Sequence, residues 1–108
     1  MVYLQRDASS EHSKTLRKKA GEYLADLREG AELTQRELAE ALSLDYYTFI
    51  SQLENGQGRL PPNLIIPFAE VVGADPKDVA WEIVKFYDPH LYQALTYEGS
   101  PVPREAAG

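Results

Sequence analysis

Residues 33–56, LTQRELAEALSLDYYTFISQLENG, decide how this chain folds. Thr34 followed three residues later by Glu37 is a capping box, in which the hydroxyl accepts from the Glu37 amide and the carboxylate reaches back to the Thr34 amide. Leu33 just outside that cap and Leu38 four residues inside it make a hydrophobic staple. Two independent local rules therefore start a helix here. Leu38, Ala41 and Leu42 supply its buried face, with Ala39 small enough for close helix contact. The break falls at Ser43 and Leu44, where Leu44 plugs the core between two helices. Asp45 is then the N-cap of a second helix whose apolar positions are Phe49, Ile50 and Leu53. Glu54-Asn55-Gly56 ends it, with Asn55 or Gly56 able to take a positive φ.

Outward from this pair, other helical patterns follow in both directions. Upstream, Leu16, Ala20, Tyr23, Leu24 and Leu27 recur at spacings of three and four, an apolar stripe starting near Lys14 and closing at Gly30 as C-cap. Residues 1–13 show no periodicity and read as a flexible N-terminal arm. Downstream, Pro61 and Pro62 suit a loop, and Ile65, Ile66, Phe68, Ala69 and Val72 make a largely buried helix. Pro67 has no amide hydrogen and disfavours a helical Ile66, so this helix starts at about Ile66 or kinks there. Gly73 closes it. Asp75 caps a fifth helix with Pro76 at its first position and Val79, Ile83, Val84 and Phe86 at core spacing. In residues 89–108, PHLYQALTYEG adds a short helix ahead of a disordered tail, SPVPREAAG. No strand pattern or repeat occurs. The expected fold is all-α: a compact bundle of about five helices over residues 14–88, with an extra C-terminal helical segment.

The chain has 108 residues, no cysteine and a net charge of −6. One domain is expected, with no disulfide framework or thiolate metal site. No apolar run approaches the ~20 residues needed to span a bilayer, and MVYLQRDASS lacks the apolar core of a signal peptide. A soluble cytoplasmic protein is the expectation. Charge is unevenly placed: KTLRKK at 14–19 holds four cations and no anion, whereas residues 61–108 carry three cations against seven anions. A basic arm can coexist with an acidic body. His12 and His90 stand far apart, and neither a Gly-rich phosphate loop nor a carboxylate–histidine spacing occurs. No enzymatic site, metal or cofactor is expected.

From Leu27 to Val79 the chain resembles the Xre or Cro/C1-type helix-turn-helix domains of bacterial and phage repressors, a lambda-repressor-like fold. The most specific parts are LTQRELAEAL leading into ISQLENG, then a Pro-bearing loop and two further helices. Two departures stand out. Ser43 occupies the turn position where the family usually has Gly, and the interval from Leu38 to Glu54 is one residue longer, the extra residue falling among Leu44, Asp45 and Tyr46.

The resemblance implies a helix-turn-helix at about 34–54. Its first helix crosses the DNA backbone, and helix 45–54 lies in the major groove with its N-terminal residues facing base edges. Ile50 and Leu53 must face the core, which leaves Tyr46, Tyr47, Thr48, Ser51 and Gln52 for base contact. Hydroxyls pair with several bases, the Thr methyl meets a thymine methyl, and Gln pairs with adenine. Phosphate contacts fall to Gln35 at a helix start, to Asn55, Gln57 and Arg59 in the following loop, and to Lys14, Arg17 and Lys18. This recognition helix carries no Arg or Lys, so a bidentate guanine contact is unavailable from it. Such domains generally read two-fold symmetric sites as homodimers, and Trp81, Phe86, Tyr87, Leu91 and Tyr92 offer an aromatic dimer surface or else close the domain's own core.

The leading reading is a sequence-specific DNA-binding transcriptional regulator, a repressor on double-stranded DNA. The alternative is a protein-interaction module of the same fold, including an antitoxin-like role, docking a partner through the acidic, aromatic C-terminal half.

Overall fold

The longest element in the computed structural model, which describes the backbone of residues 2–99 and the side chains of residues 11–99, is one helix, α1 (Val2–Gly30). The start near Lys14 is thereby corrected, and the segment expected as a flexible arm is helical backbone from Val2. No Gly or Pro stands between Val2 and Ala20, so nothing local ends the helix. Residues 11–19 are exposed apart from half-buried Leu16. Apolar periodicity reports burial rather than helicity, and it is absent where a helix covers nothing.

The end of α1 also differs from expectation. Leu33 N–H donates to the Arg28 carbonyl (3.2 Å) and Glu32 N–H to that of Glu29 (2.9 Å), the paired bonds of a Schellman cap. The left-handed residue is Glu32 (φ 60°), and Gly30 is simply the last helical residue. This register puts Leu33 just after the left-handed residue, where an apolar side chain commonly folds back on the helix end.

The capping box forms as read. In α2 (Gln35–Ala41), Glu37 N–H donates to Thr34 Oγ1 (3.1 Å) and Thr34 N–H to Glu37 Oε1 (2.8 Å). Leu38 and Leu42 are buried, but Ala39 rather than Ala41 completes the buried face, since the stripe leans to that side of the helix. Ser43 then takes φ 58° in a second Schellman cap, with Leu44 N–H on the Ala39 carbonyl (2.9 Å) and Ser43 N–H on that of Glu40 (3.0 Å). Beyond it, Leu44 packs against the core and the chain runs on to α3 (Thr48–Glu54). Asp45 is not the cap. Tyr47 holds that position, without a side-chain bond, and Asp45 and Tyr46 lie in the turn before it.

A 3-10 turn (Pro62–Leu64) leads into α4 (Ile65–Val72), where Pro67 sits in the first turn and its missing N–H has no partner to lose. Ile66 faces outward at 59% exposure, so the α4 face is narrower than its composition suggests. Gly73 (φ 75°) closes α4, and Asp75 caps α5 (Pro76–Tyr87) by accepting from Lys77 N–H (2.9 Å). The short C-terminal helix is α6 (Pro89–Leu95). The tail expected to be disordered lies outside the described residues.

Leu24, Leu38, Ile50, Leu53, Phe68 and Val79 are almost wholly buried, one residue or more from each of α1 to α5. Burying each such side chain contributes about 1.5–3 kcal/mol before entropy. α1 packs on both α3 and α5. Its approach to α3 is close because Gly21 has no side chain: a Cβ there would stand 2.6 Å from the Leu53 carbonyl oxygen and closer still to that of Glu54. Among the described residues no helix is long and apolar enough to cross a membrane.

Candidate nucleic-acid interface

α3 divides its residues cleanly. Ile50 and Leu53 are buried and Phe49 half-buried against the core. Tyr46 (75% exposed), Tyr47 (41%), Thr48 and Gln52 face solvent, while Ser51 is half-buried at the edge of that face. Four of the five expected base-reading side chains thus stand on open surface, from the turn before α3 to its fifth residue.

What holds that face in place is an ion pair absent from the sequence reading. Arg28, in the last turn of α1, donates through Nε to Glu54 Oε2 (2.6 Å) and through Nη2 to Glu54 Oε1 (3.0 Å), while its Nη1 caps the Leu33 carbonyl (2.7 Å). Both side chains are about nine-tenths buried, at 12% and 9% exposure. The bonds to Glu54 raise the Arg28 pKa further, against the opposing effect of burial. Gln35 of α2 donates to the same carboxylate (2.9 Å). Glu54 therefore joins the ends of three helices. A carboxylate this buried needs several donors, which is why Gln35, expected to meet a phosphate, turns to Glu54 instead. The signal was readable: Arg28 lies four residues after Leu24, on the buried stripe.

The expected phosphate-binding residues separate into two groups. Lys14, Arg17 and Lys18 of α1 line one groove together with Asn55, Gly56 and Gln57, the loop directly after α3. Gly56 (φ 76°) brings the main chain there, since a Cβ would come within 3.0 Å of Lys18 Cα. Within this groove Lys14 lies 3.6 Å from Glu11, an exposed pair of little energetic weight. Arg59 is elsewhere: its Nη2 donates to Asp88 Oδ2 (2.6 Å) and its guanidinium stacks over the Tyr87 ring at 4.8 Å. The turn after Gly58 carries Arg59 to the C-terminal end of α5, so it ties that loop down. A second cation missed in the sequence is Arg36, whose guanidinium lies 4.9 Å from the centre of the Tyr47 ring.

Residues 19–81 match the helix-turn-helix domain family, more than half of the chain. The chain belongs to the helix-turn-helix domain family. The match bears out the resemblance to Xre or Cro/C1-type domains and runs from the middle of α1 into α5. No match was found among curated proteins. Lys14, Arg17 and Lys18 precede the matched span.

The expected dimer residues are also divided by the structure. Tyr87 is spent within the helix-turn-helix domain: it packs against the core and its hydroxyl accepts from Leu60 N–H (3.1 Å). Burial raises its phenol pKa, partly offset by that bond and by Arg59 and Arg17. Phe86 is half-buried beneath the Lys85 ammonium. Trp81 and Tyr92 meet edge to face at 6.1 Å, joining α5 to α6. Trp81, Leu91, Leu95 and Tyr97 remain exposed.

Proposed function

We propose that this chain is a sequence-specific DNA-binding transcriptional regulator, a repressor that acts as a homodimer on a two-fold symmetric site in double-stranded DNA. One observation carries the reading. The outward residues of α3 have no part in the core, and they continue through Asn55 and Gln57 into a groove walled by Lys14, Arg17 and Lys18. In this division of labour Tyr46, Tyr47, Thr48, Ser51 and Gln52 meet base edges, and the groove takes a flanking phosphate. The three cations compensate for an α3 that carries none. Exposed Trp81 and Leu91, with Tyr92 beside them, supply the contact between copies.

Selection of random-sequence duplexes on the purified protein tests the reading. One symmetric motif is expected, relaxed at single positions in Thr48→Ala and Gln52→Ala. Replacing Lys14, Arg17 and Lys18 by Ala is expected to weaken binding to all sequences and to flatten the plot of log K against log salt by about 0.9 per cation removed. The absence of any cation from α3 and the net charge of −6 favour a second reading, a protein-docking module of the same fold. Duplex binding that stays weak and sequence-indifferent at low salt selects that reading.

A further inference from the structure

We propose that Arg36 is the guanine-reading side chain of this domain, presented over the recognition face by Tyr47. The inference rests on the DNA-binding reading above and deepens it. Guanine shows two acceptors in the major groove, N7 and O6, and a bidentate Arg is its commonest specific reader. Since Thr48–Glu54 contains neither Arg nor Lys, such a reader has to come from another element.

α2 supplies it. Arg36 is the second residue of that helix, and it is exposed. Its side chain reaches across to α3 and lies over the Tyr47 ring, 4.9 Å from the centroid. Tyr47 is the N-cap of α3, the end that faces base edges in this geometry. Of the other arginines among residues 11–99, Arg28 is spent on Glu54 and Arg59 on Asp88, and Arg17 lines the groove beside Asn55. Arg36 forms no ion pair among the described residues, although Glu40 and Asp45 line the same hollow of about 300 Å³. That hollow opens between α2 and α3 where the turn passes through Leu44 and Tyr46.

The stack suits the task. A guanidinium over an aromatic ring engages through its flat face. Its N–H donors lie in the plane, so the edge stays free for two parallel hydrogen bonds. Holding the side chain in one orientation beforehand also lowers the ordering cost on binding. The turn between the two helices thus has a use: it sets Tyr47 where an arginine from α2 can rest on it.

The test repeats duplex selection with Arg36→Ala, Arg36→Lys, Tyr47→Phe and Tyr47→Leu, each checked for native helix content by circular dichroism. The wild-type motif is expected to hold a fixed guanine in each half-site. Arg36→Ala is expected to lose preference at that position alone and to bind the best duplex roughly ten- to a hundredfold more weakly. Arg36→Lys should not restore the preference, Tyr47→Phe should keep it, and Tyr47→Leu should blunt it. Substituting 7-deazaguanine at that position should weaken the wild type and leave Arg36→Ala unaffected. An Arg36→Ala motif unchanged from wild type overturns the inference, and so does an equal loss on every sequence with the salt slope lowered by about one, the mark of a phosphate contact. Both of those results leave the DNA-binding reading standing, whereas a wild type that selects no motif overturns the two together.

Discussion

Gly21→Ala separates what helix propensity asks for from what the α1–α3 crossing permits. In a helix interior, replacing Gly by Ala normally stabilises by about 1 kcal/mol. At Gly21 the new methyl carbon would lie 2.6 Å from the Leu53 carbonyl oxygen and 2.7 Å from the Glu54 carbonyl carbon. Close C···O contacts in proteins sit at about 3.3–3.6 Å, so the helices must part by about an ångström. Overpacking costs about 1–3 kcal/mol. The upper end applies here, because the obstructing atoms are main chain and cannot swing aside. The net expectation is a loss of about 2 kcal/mol, or a fall of roughly 8–16 °C in Tm for a domain of this size. Urea unfolding followed by circular dichroism measures it, with Gly30→Ala as the internal control. That glycine has nothing within 4 Å of a built Cβ and the same helix around it, so its substitution is expected to stabilise by up to about 1 kcal/mol. A Gly21→Ala protein as stable as wild type, beside a stabilised Gly30→Ala, would refute the close crossing.

Ser43→Gly is expected to stabilise by about 0.5–1 kcal/mol in the same unfolding assay, since relief of the left-handed backbone outweighs the added chain entropy; a loss would mean that the serine side chain matters more than its φ. Arg28→Met leaves the Glu54 carboxylate largely buried with Gln35 as its remaining side-chain partner, at an expected cost of about 3 kcal/mol. Arg28→Lys should recover little, because one ammonium cannot reproduce the planar fork spanning Glu54 and the Leu33 carbonyl. Tyr87 is raised above the ordinary phenol value chiefly by burial, and Tyr23 by burial and then by Glu82 and Asp78. Raised folded-state values mean that their stabilisation is complete below about pH 10 and is lost as pH climbs through the folded values. Alkaline unfolding should therefore show a steep limb above about pH 10 that is shallower in Tyr23→Phe.

Much of the helical order was legible because the chain states it locally. The Thr34–Glu37 box, the Asp75–Pro76 start and the Gly73 stop each depend on a few neighbouring residues, and each is found. Two boundaries misled for a common reason: a good local signal was present two residues away. Gly30 and Asp45 are fit for caps, but Glu32 and Tyr47 hold those roles, and Leu44, beyond the second Schellman cap, packs against the core. The N-terminal part of α1 was invisible for a different reason, since a solvated helix has no stripe. Long-range pairings were the least legible. Arg28 with Glu54, Arg59 with Asp88 and Arg36 with Tyr47 join residues that become neighbours only once the helices cross.

The division of α3 into two faces has a bearing on how such a protein changes its target. Thr48 and Gln52 touch solvent and lie outside the core, while the register of the helix is held from behind by Ile50, Leu53 and the carboxylate of Glu54. Rewriting the outward positions therefore carries almost no folding penalty, as surface substitutions usually stay within about 0.5 kcal/mol. On the proposed reading, new DNA sequences become reachable by single steps that keep the scaffold intact. A library varied only at those two sites would sample altered specificities without sorting first for proteins that fold.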